Sequence, residues 1–490
     1  MSTTEPGQES SSIRPSRRGF LSGAAVVAAA GAANLASPGT AFADGGSAGP
    51  NSDFPSGPGN PVRPQAPGRE LKQMLRELDP KRQRAIIEKL VSFGTRHTLS
   101  SQTDPNRGIG AARDWLFAEM QRLAAPSNGR MTVQLQSFTQ PVGPNIPTPT
   151  VITNVITTLR GSVEPDRIYV VTGHYDSRVT DLANFTDDAP GADDDASGVA
   201  AVLEMIRVMA TRETKATIMF AAVAGEEQGV LGSLFMARQL KAAGADVQGM
   251  FSNDIIGSKH AEDGTVPDPK VLRLFAEGIA DTSTPNQVAV VRVEGGAEDS
   301  ASRQLARFAT SVANNRDTDA AAHIIYRRDR YLRGSDHISF LAQGYPAARF
   351  TEPHENFAHQ HQDVRVVDGV QFGDLIEFVD FDFLLRATKI NLATMWSLAT
   401  SPGTPKNAIM DDSVLTNSST ISWAASTDPD IVGYEIVWRP CTEPDWTKAV
   451  PVGLVTTTTV PISKDNVFLG VRAVDRDGRR SPVAFPTPNP

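Results

Sequence analysis

The sequence predicts an α/β fold, a mostly parallel sheet with helices on both faces, followed by a small C-terminal all-β sandwich. Apolar strands expected at Val151–Leu159, Ile168–Thr172, Ala216–Ala224, Gly249–Ile256 and Val288–Val293 alternate with helical patterns at Ala196–Ala210, Val230–Ala242 and Pro269–Ala280. These strands lack a polar face, as strands buried on both sides do, which points to a parallel sheet between helical layers. Beyond Ser401-Pro402-Gly403-Thr404-Pro405 the pattern changes to short candidate strands, Ile421–Trp423, Tyr434–Trp438, Thr456–Val460 and Val467–Val474, separated by Asp- and Asn-containing turns. Short strands at that spacing predict a sandwich.

Taken in order, Arg17-Arg18, a weakly apolar run from Ser22 to Leu35 and Ala41-Phe42-Ala43 have the layout of a twin-arginine export signal, cleaved after Ala43. The protein is therefore expected to be secreted, with no membrane span once the signal is removed. Residues 44–68 are rich in Gly, Pro, Ser and Asn and predict a disordered linker. Order is expected from Arg69, where Leu71, Met74, Leu75 and Leu78 keep helical spacing and Asp79-Pro80 starts a second helix. A third is expected over Ile109–Leu123, and the last helix of the large domain over Asp374–Leu398. The expected organisation is a large domain at 69–400, a linker at 401–406 and the sandwich at 407–490.

Removing residues 1–43, which carry Arg14, Arg17 and Arg18 against Glu5 and Glu9, takes the formal charge from −9 to −10. That balance disfavours nucleic acid and anionic membrane as partners. The single cysteine, Cys441, excludes an internal disulfide.

The chemistry centres on Gly191-Ala192-Asp193-Asp194-Asp195-Ala196-Ser197-Gly198. Three adjacent carboxylates repel one another, and belong on a solvated loop or around a cation. Ser197 is a candidate cap for the helix that follows. Ligands in parallel sheets bind beyond the carboxyl ends of the strands. His174 follows one predicted strand, Glu226-Glu227 another, and Asp254 lies near the end of a third. Carboxylates and imidazoles gathered at one sheet edge predict a metal site, and the donor set suits zinc.

Gly173-His174-Tyr175-Asp176-Ser177, the Asp triplet, Ala224-Gly225-Glu226-Glu227-Gln228-Gly229 and Ser335-Asp336-His337 occur in an order that resembles the secreted two-zinc exopeptidases of metallopeptidase clan MH, typified by bacterial leucyl aminopeptidases and aminopeptidase Y. The resemblance spans about Arg69 to Leu398 and implies the zinc exopeptidase fold and an aminopeptidase acting on peptides. It implies two zinc ions bridged by Asp194, one also held by His174 and Asp254, the other by Glu227 and a later histidine. That histidine is chosen among His354, His359 and His361. The family places an aspartate four residues beyond the ligand, and Asp363 selects His359. Glu226 matches the general base, and a cis peptide is implied between Asp194 and Asp195. Asp176 is placed to orient His174. Ala358 stands where one branch of relatives has the tyrosine that steadies the tetrahedral intermediate, leaving Tyr331 as the substitute. His337 is expected to support the site, and His97, His260 and His323 to be surface or structural histidines.

The sandwich resembles fibronectin type III domains through Ser422-Trp423, Gly433-Tyr434-Glu435-Ile436 and Val471-Arg472-Ala473-Val474-Asp475, and a polymer or cell-surface ligand is one expectation for it. Two other readings stay open. Arg327, Arg328, Arg330 and Arg333 keep a carboxypeptidase in view, since a carboxypeptidase must hold a free carboxylate. A non-catalytic binding relative would lack ligands or the base, and none is missing.

Overall fold

The computed structural model describes residues 55–488. The predicted export signal and the first part of the predicted linker lie outside them. The rest of the linker corrects the expectation of disorder. A two-residue strand, β1 (Asn60–Pro61), pairs antiparallel with Lys448 and Ala449 of the C-terminal sandwich. Trp438 Nε1 donates to Pro58 O at 2.7 Å, and Gln65 N donates to Ser311 O at 3.1 Å. A Gly/Pro-rich strap with little to bury is held because its backbone groups find partners on an exposed strand edge and a helix.

Three helices follow, α1 (Arg69–Glu77), α2 (Pro80–Val91) and α3 (Ile109–Ala124). Asp79 caps α2 by accepting from Lys81 N at 2.9 Å, with Pro80 in the first turn, where its missing N–H costs nothing. The main sheet and its helices then run β2 (Met131–Gln140), β3 (Thr150–Leu159), β4 (Glu164–His174), α4 (Ala196–Met209), β5 (Ala216–Val223), α5 (Leu231–Ala242), β6 (Asp246–Asn253), β7 (Val271–Ala276), α6 (Pro285–Glu294), α7 (Ala301–Ala313), β8 (Ala321–Ile325), α8 (His337–Leu341), β9 (Ala347–Thr351), a small hairpin β10 (Arg365–Val367) and β11 (Val370–Phe372), and α9 (Phe381–Thr400).

The eight strands of the main sheet lie in the order β2-β3-β5-β4-β6-β9-β7-β8. The centre, β5-β4-β6-β9, is parallel. The flanks bring antiparallel pairs, β2 with β3, β3 with β5, and β7 with β9. Alternate residues serve opposite faces: Tyr169 and Val171 pack with α1–α4, α7 and α9, whereas Val170 packs with α5 and α8. The parallel centre aims three carboxyl ends, those of β4, β5 and β6, at one edge.

Two predicted elements exchange character. Val271–Ala276 is strand β7 where a helix was expected, and Val288–Val293 lies in helix α6 where a strand was expected. Pro285 and a full capping box between Thr284 and Gln287 start α6, and none of its residues is buried. Local capping there outweighs β-branched propensity. β7 is a strand because it fills the slot between β9 and β8, where Leu272 and Leu274 are buried. The last helix starts at Phe381, capped by Asp380, which leaves the expected starting residue, Asp374, free for the site.

The C-terminal residues form two four-stranded sheets. One combines β1, β14 (Ile431–Pro440), β15 (Lys448–Gly453) and β17 (Val467–Asp475). The other holds β12 (Ile409–Met410), β13 (Ser419–Ser422), β16 (Thr457–Val460) and β18 (Thr487–Pro488). Ile421, Trp423, Ile436, Trp438, Val460 and Val471 join them in one core.

This unit is bonded to the main domain rather than trailing from it. Asp299, fully buried, accepts from Arg307 Nη1 at 2.9 Å and from Arg439 Nη2 at 2.6 Å across the junction. Lys215 reaches Asp428 at 2.9 Å and Asp430 at 3.1 Å. Asp299→Ala strands two buried guanidiniums, and is expected to cost about 3–5 kcal/mol, read as a lowered Tm or denaturation midpoint. An unchanged midpoint would show that the Asp299 contacts contribute nothing to stability. Among the described residues no helix is long and apolar enough to cross a membrane.

Candidate metal centre

His174 ends β4, and Asp194 lies in the loop entering α4. Asp195 is the helix cap: its Oδ1 accepts from Gly198 N at 2.9 Å and its Oδ2 from His174 N at 2.9 Å. The cap is therefore Asp195 and not Ser197, whose Oγ donates to Asp193 O at 2.7 Å. The Asp194–Asp195 peptide is cis. Glu226 and Glu227 follow β5, and Asp254 follows β6.

The structure draws these residues into two trios that share one carboxylate: His174, Asp194 and Asp254, and Asp194, Glu227 and His361. Within each trio the candidate ligand atoms lie within 4.8 Å of one another. His174 Nε2 is 3.0 Å from Asp194 Oδ1. His361 Nε2 is 2.9 Å from Asp194 Oδ2 and 3.1 Å from Glu227 Oε2. Glu226 belongs to neither trio.

The histidine expectation is corrected here. His361, not His359, completes the second trio. His361 has φ 53°, a left-handed turn that breaks the run of the loop, while the ring of His359 stacks on Phe378 with centroids 3.5 Å apart. His354 also stands apart, 2.8 Å from Asp268. Asp363 lies two residues past His361 and pins the loop, exchanging hydrogen bonds with Thr180 at 3.2 Å each. Tyr331 is corrected as well. Its ring is 80 % exposed under the Arg327 guanidinium, which is 3.8 Å from the ring centroid, so it faces solvent.

Residues outside the predicted set position the trios. Asp374 accepts from Asp193 N at 2.8 Å and Asp194 N at 2.7 Å, which fixes the loop. Gln360 Nε2 donates to Asp194 Oδ2 at 3.0 Å. Buried Arg349 bridges Asp254 Oδ1 at 2.8 Å and Asp329 at 3.2 Å. Arg96, also buried, donates to the carbonyls of Tyr175, Pro190 and Gly191 and so ties the two ligand loops together. No spacing in the sequence announces these four; a charged side chain joins a site from afar only when the fold brings it there. Asp176 faces the second ring nitrogen of His174 as expected, Nδ1 lying 3.2 Å from its backbone oxygen and 3.6 Å from its Oδ1, while its Oδ2 accepts from Glu227 N at 3.0 Å. His337 Nε2 lies 2.9 Å from Arg328 O, outside both trios.

The electrostatics call for a cation. Burial pushes Glu226 well above the ordinary carboxyl range, opposed by His174 and aided by the carboxylates of Asp254, Glu227 and Asp336. Burial disfavours a charged His361, yet Glu227 and Asp194 override it and push its pKa up to about 10. Burial also opposes ionisation of Asp194, but His361 and His174 hold it well below its usual value. His174 Nε2 and Glu227 Oε1 are buried and make no hydrogen bond. Two imidazoles whose charged forms are favoured by neighbouring carboxylates, beside a buried Glu227 oxygen without a donor, fit a site that exchanges protons for metal ions.

Residues 154–366 match the profile of "Peptidase family M28". Two relatives match over most of the chain. A "Probable zinc metalloprotease" of Pyrenophora tritici-repentis is 50% identical, covering 89% of this chain and 90% of its own. Another of Leptosphaeria maculans is 51% identical, covering 87% and 99%. Among solved structures, the LapA aminopeptidase of Legionella pneumophila superposes with TM-score 0.48 at 17% identity, covering 68% of this chain and 72% of that one.

Proposed function

Since this chain belongs to peptidase family M28, we propose that it is a zinc-dependent aminopeptidase that removes N-terminal residues from peptides. The observation that carries the reading is the pair of trios sharing Asp194, with Glu226 beside them and outside both. His174 and Asp254 would hold one zinc ion, Glu227 and His361 the second, and Asp194 both. Bound zinc supplies Lewis acidity, polarising the scissile carbonyl and acidifying water. Glu226 takes a proton from the attacking water on its carboxylate and passes it to the leaving amine nitrogen. Arg349 and Gln360 hold the carboxylates of Asp254 and Asp194 in orientation, and the Arg96 and Asp374 contacts keep the loops in place.

The state of the arginines favours an aminopeptidase over a carboxypeptidase. Arg328 pairs with Asp281 at 2.8 Å, Arg330 with Glu355 at 2.5 Å, and Arg333 donates to Gln360 at 3.2 Å. Arg327 covers Tyr331. Each guanidinium thus already has an acidic, amide or aromatic neighbour of its own, which supports the aminopeptidase reading.

Matched peptides blocked at either end test this. The zinc-loaded protein is expected to cut a C-amidated peptide and to spare the N-acetylated one, with about two zinc ions per chain after dialysis and activity lost to chelators. Cleavage of the N-blocked peptide alone would establish the carboxypeptidase. Activity indifferent to chelators, with no bound zinc, would refute a metal mechanism.

The paired arginines and the Ala41-Phe42-Ala43 site support export by the twin-arginine route. The two facing sheets, with Trp423 and Tyr434 in contact at 5.2 Å between ring centroids, support a fibronectin type III-like reading of the sandwich.

A further inference from the structure

One cavity lies away from the metal centre, lined by none of its residues. About 640 Å³ lies where the strap at 62–65, helix α7, strand β8 and the C-terminal sandwich meet. That volume is in the range of small-molecule sites, which favour domain junctions. Trp446 and Phe308 supply an apolar wall, and Tyr326 a partly polar one.

The polar part of the wall is cationic beyond its internal needs. Arg63, Arg307, Arg472 and Arg480 line it. Asp299 is shared between Arg307 and Arg439, and Glu435 between Arg472 at 2.7 Å and Arg480 at 3.3 Å, so two carboxylates serve four guanidiniums. Arg307 is 5% exposed, and its Nη2 has no hydrogen-bond partner. Arg63, exposed on the strap, makes no ion pair among the described residues. The one acid on the wall, Asp445, is 71% exposed and 3.9 Å from Arg307 Nε. An excess of guanidinium in a chain of formal charge −9 marks a place built for an anion.

We propose that this cavity binds a small amphipathic carboxylate, its carboxylate on the arginines and its apolar body against Trp446 and Phe308. Guanidinium pairs bidentately with carboxylate, and its planar face tolerates apolar neighbours. A fatty acid and the C-terminus of an apolar peptide share this chemistry.

Calorimetry on the full mature chain, which needs no turnover, tests the proposal with decanoate and N-acetyl-Leu-Phe as the two sources, and decylamine and decanol as charge controls. Saturable binding at one site is expected for at least one carboxylate and for neither control, and which one binds identifies the source. Arg63→Ala, on the exposed strap, is expected to weaken it about tenfold. Ser311→Trp, which fills the cavity from α7, is expected to abolish it with an unchanged Tm. No binding of either carboxylate at millimolar concentration, equal binding of a control, or binding unaffected by both variants would overturn the proposal.

Discussion

Glu226→Gln is expected to lower kcat by about two to four orders of magnitude while zinc content and KM stay near those of the wild type. The substitution keeps size and a polar head but removes the proton acceptor. Glu226 stands outside both trios, so its loss should cost no ligand. Glu227→Gln is the contrasting change. Glu227 Oε2 is 3.1 Å from His361 Nε2 inside the second trio, so this variant should lose metal and regain activity in excess zinc. Reversed outcomes, with Glu226→Gln losing zinc and Glu227→Gln keeping it, would interchange the two roles. Turnover unaffected by either would remove this cluster as the active site.

His361→Ala is expected to lower zinc occupancy by about one ion per chain and activity by at least tenfold to a hundredfold, whereas His359→Ala retains both. The contrast follows from geometry two residues apart. His361 is within 3.1 Å of two carboxylates, while the His359 ring lies flat on Phe378. His359→Ala loses that stack, and should register as a small fall in Tm. Equal zinc loss in both variants would mean that the loop rearranges on metal binding, and zinc loss confined to His359→Ala would restore the ligand that the Asp363 spacing selects.

His174, Asp194, Glu226, Glu227 and Asp254 were legible in the chain because each lies within a few residues of an apolar strand or a capped helix. In a parallel sheet the carboxyl end of a buried strand has a fixed direction, so residues just beyond three such strands meet whatever the rest of the chain does. The α/β class and the C-terminal sandwich were legible for the same reason: hydrophobic period and turn chemistry are local. The change to antiparallel flanks was not, since strand direction within the sheet depends on connections that periodicity does not report.

Other features were decided only in three dimensions. Val271–Ala276 and Val288–Val293 both read as apolar runs, and the choice between strand and helix fell to an empty slot beside β9 and to the cap at Thr284. Among three histidines in eight residues, a left-handed φ at His361 selected the one facing Asp194, and no spacing encodes a backbone turn of that kind. Arg349, Gln360 and Asp374 reach the site across 95 residues or more of sequence, and the strap at 55–68 is ordered by an edge strand almost 400 residues away. Local sequence therefore determined which groups end the strands and what chemistry they carry. Long-range packing decided which side chains complete and orient them, because those contacts depend on where distant segments come to rest.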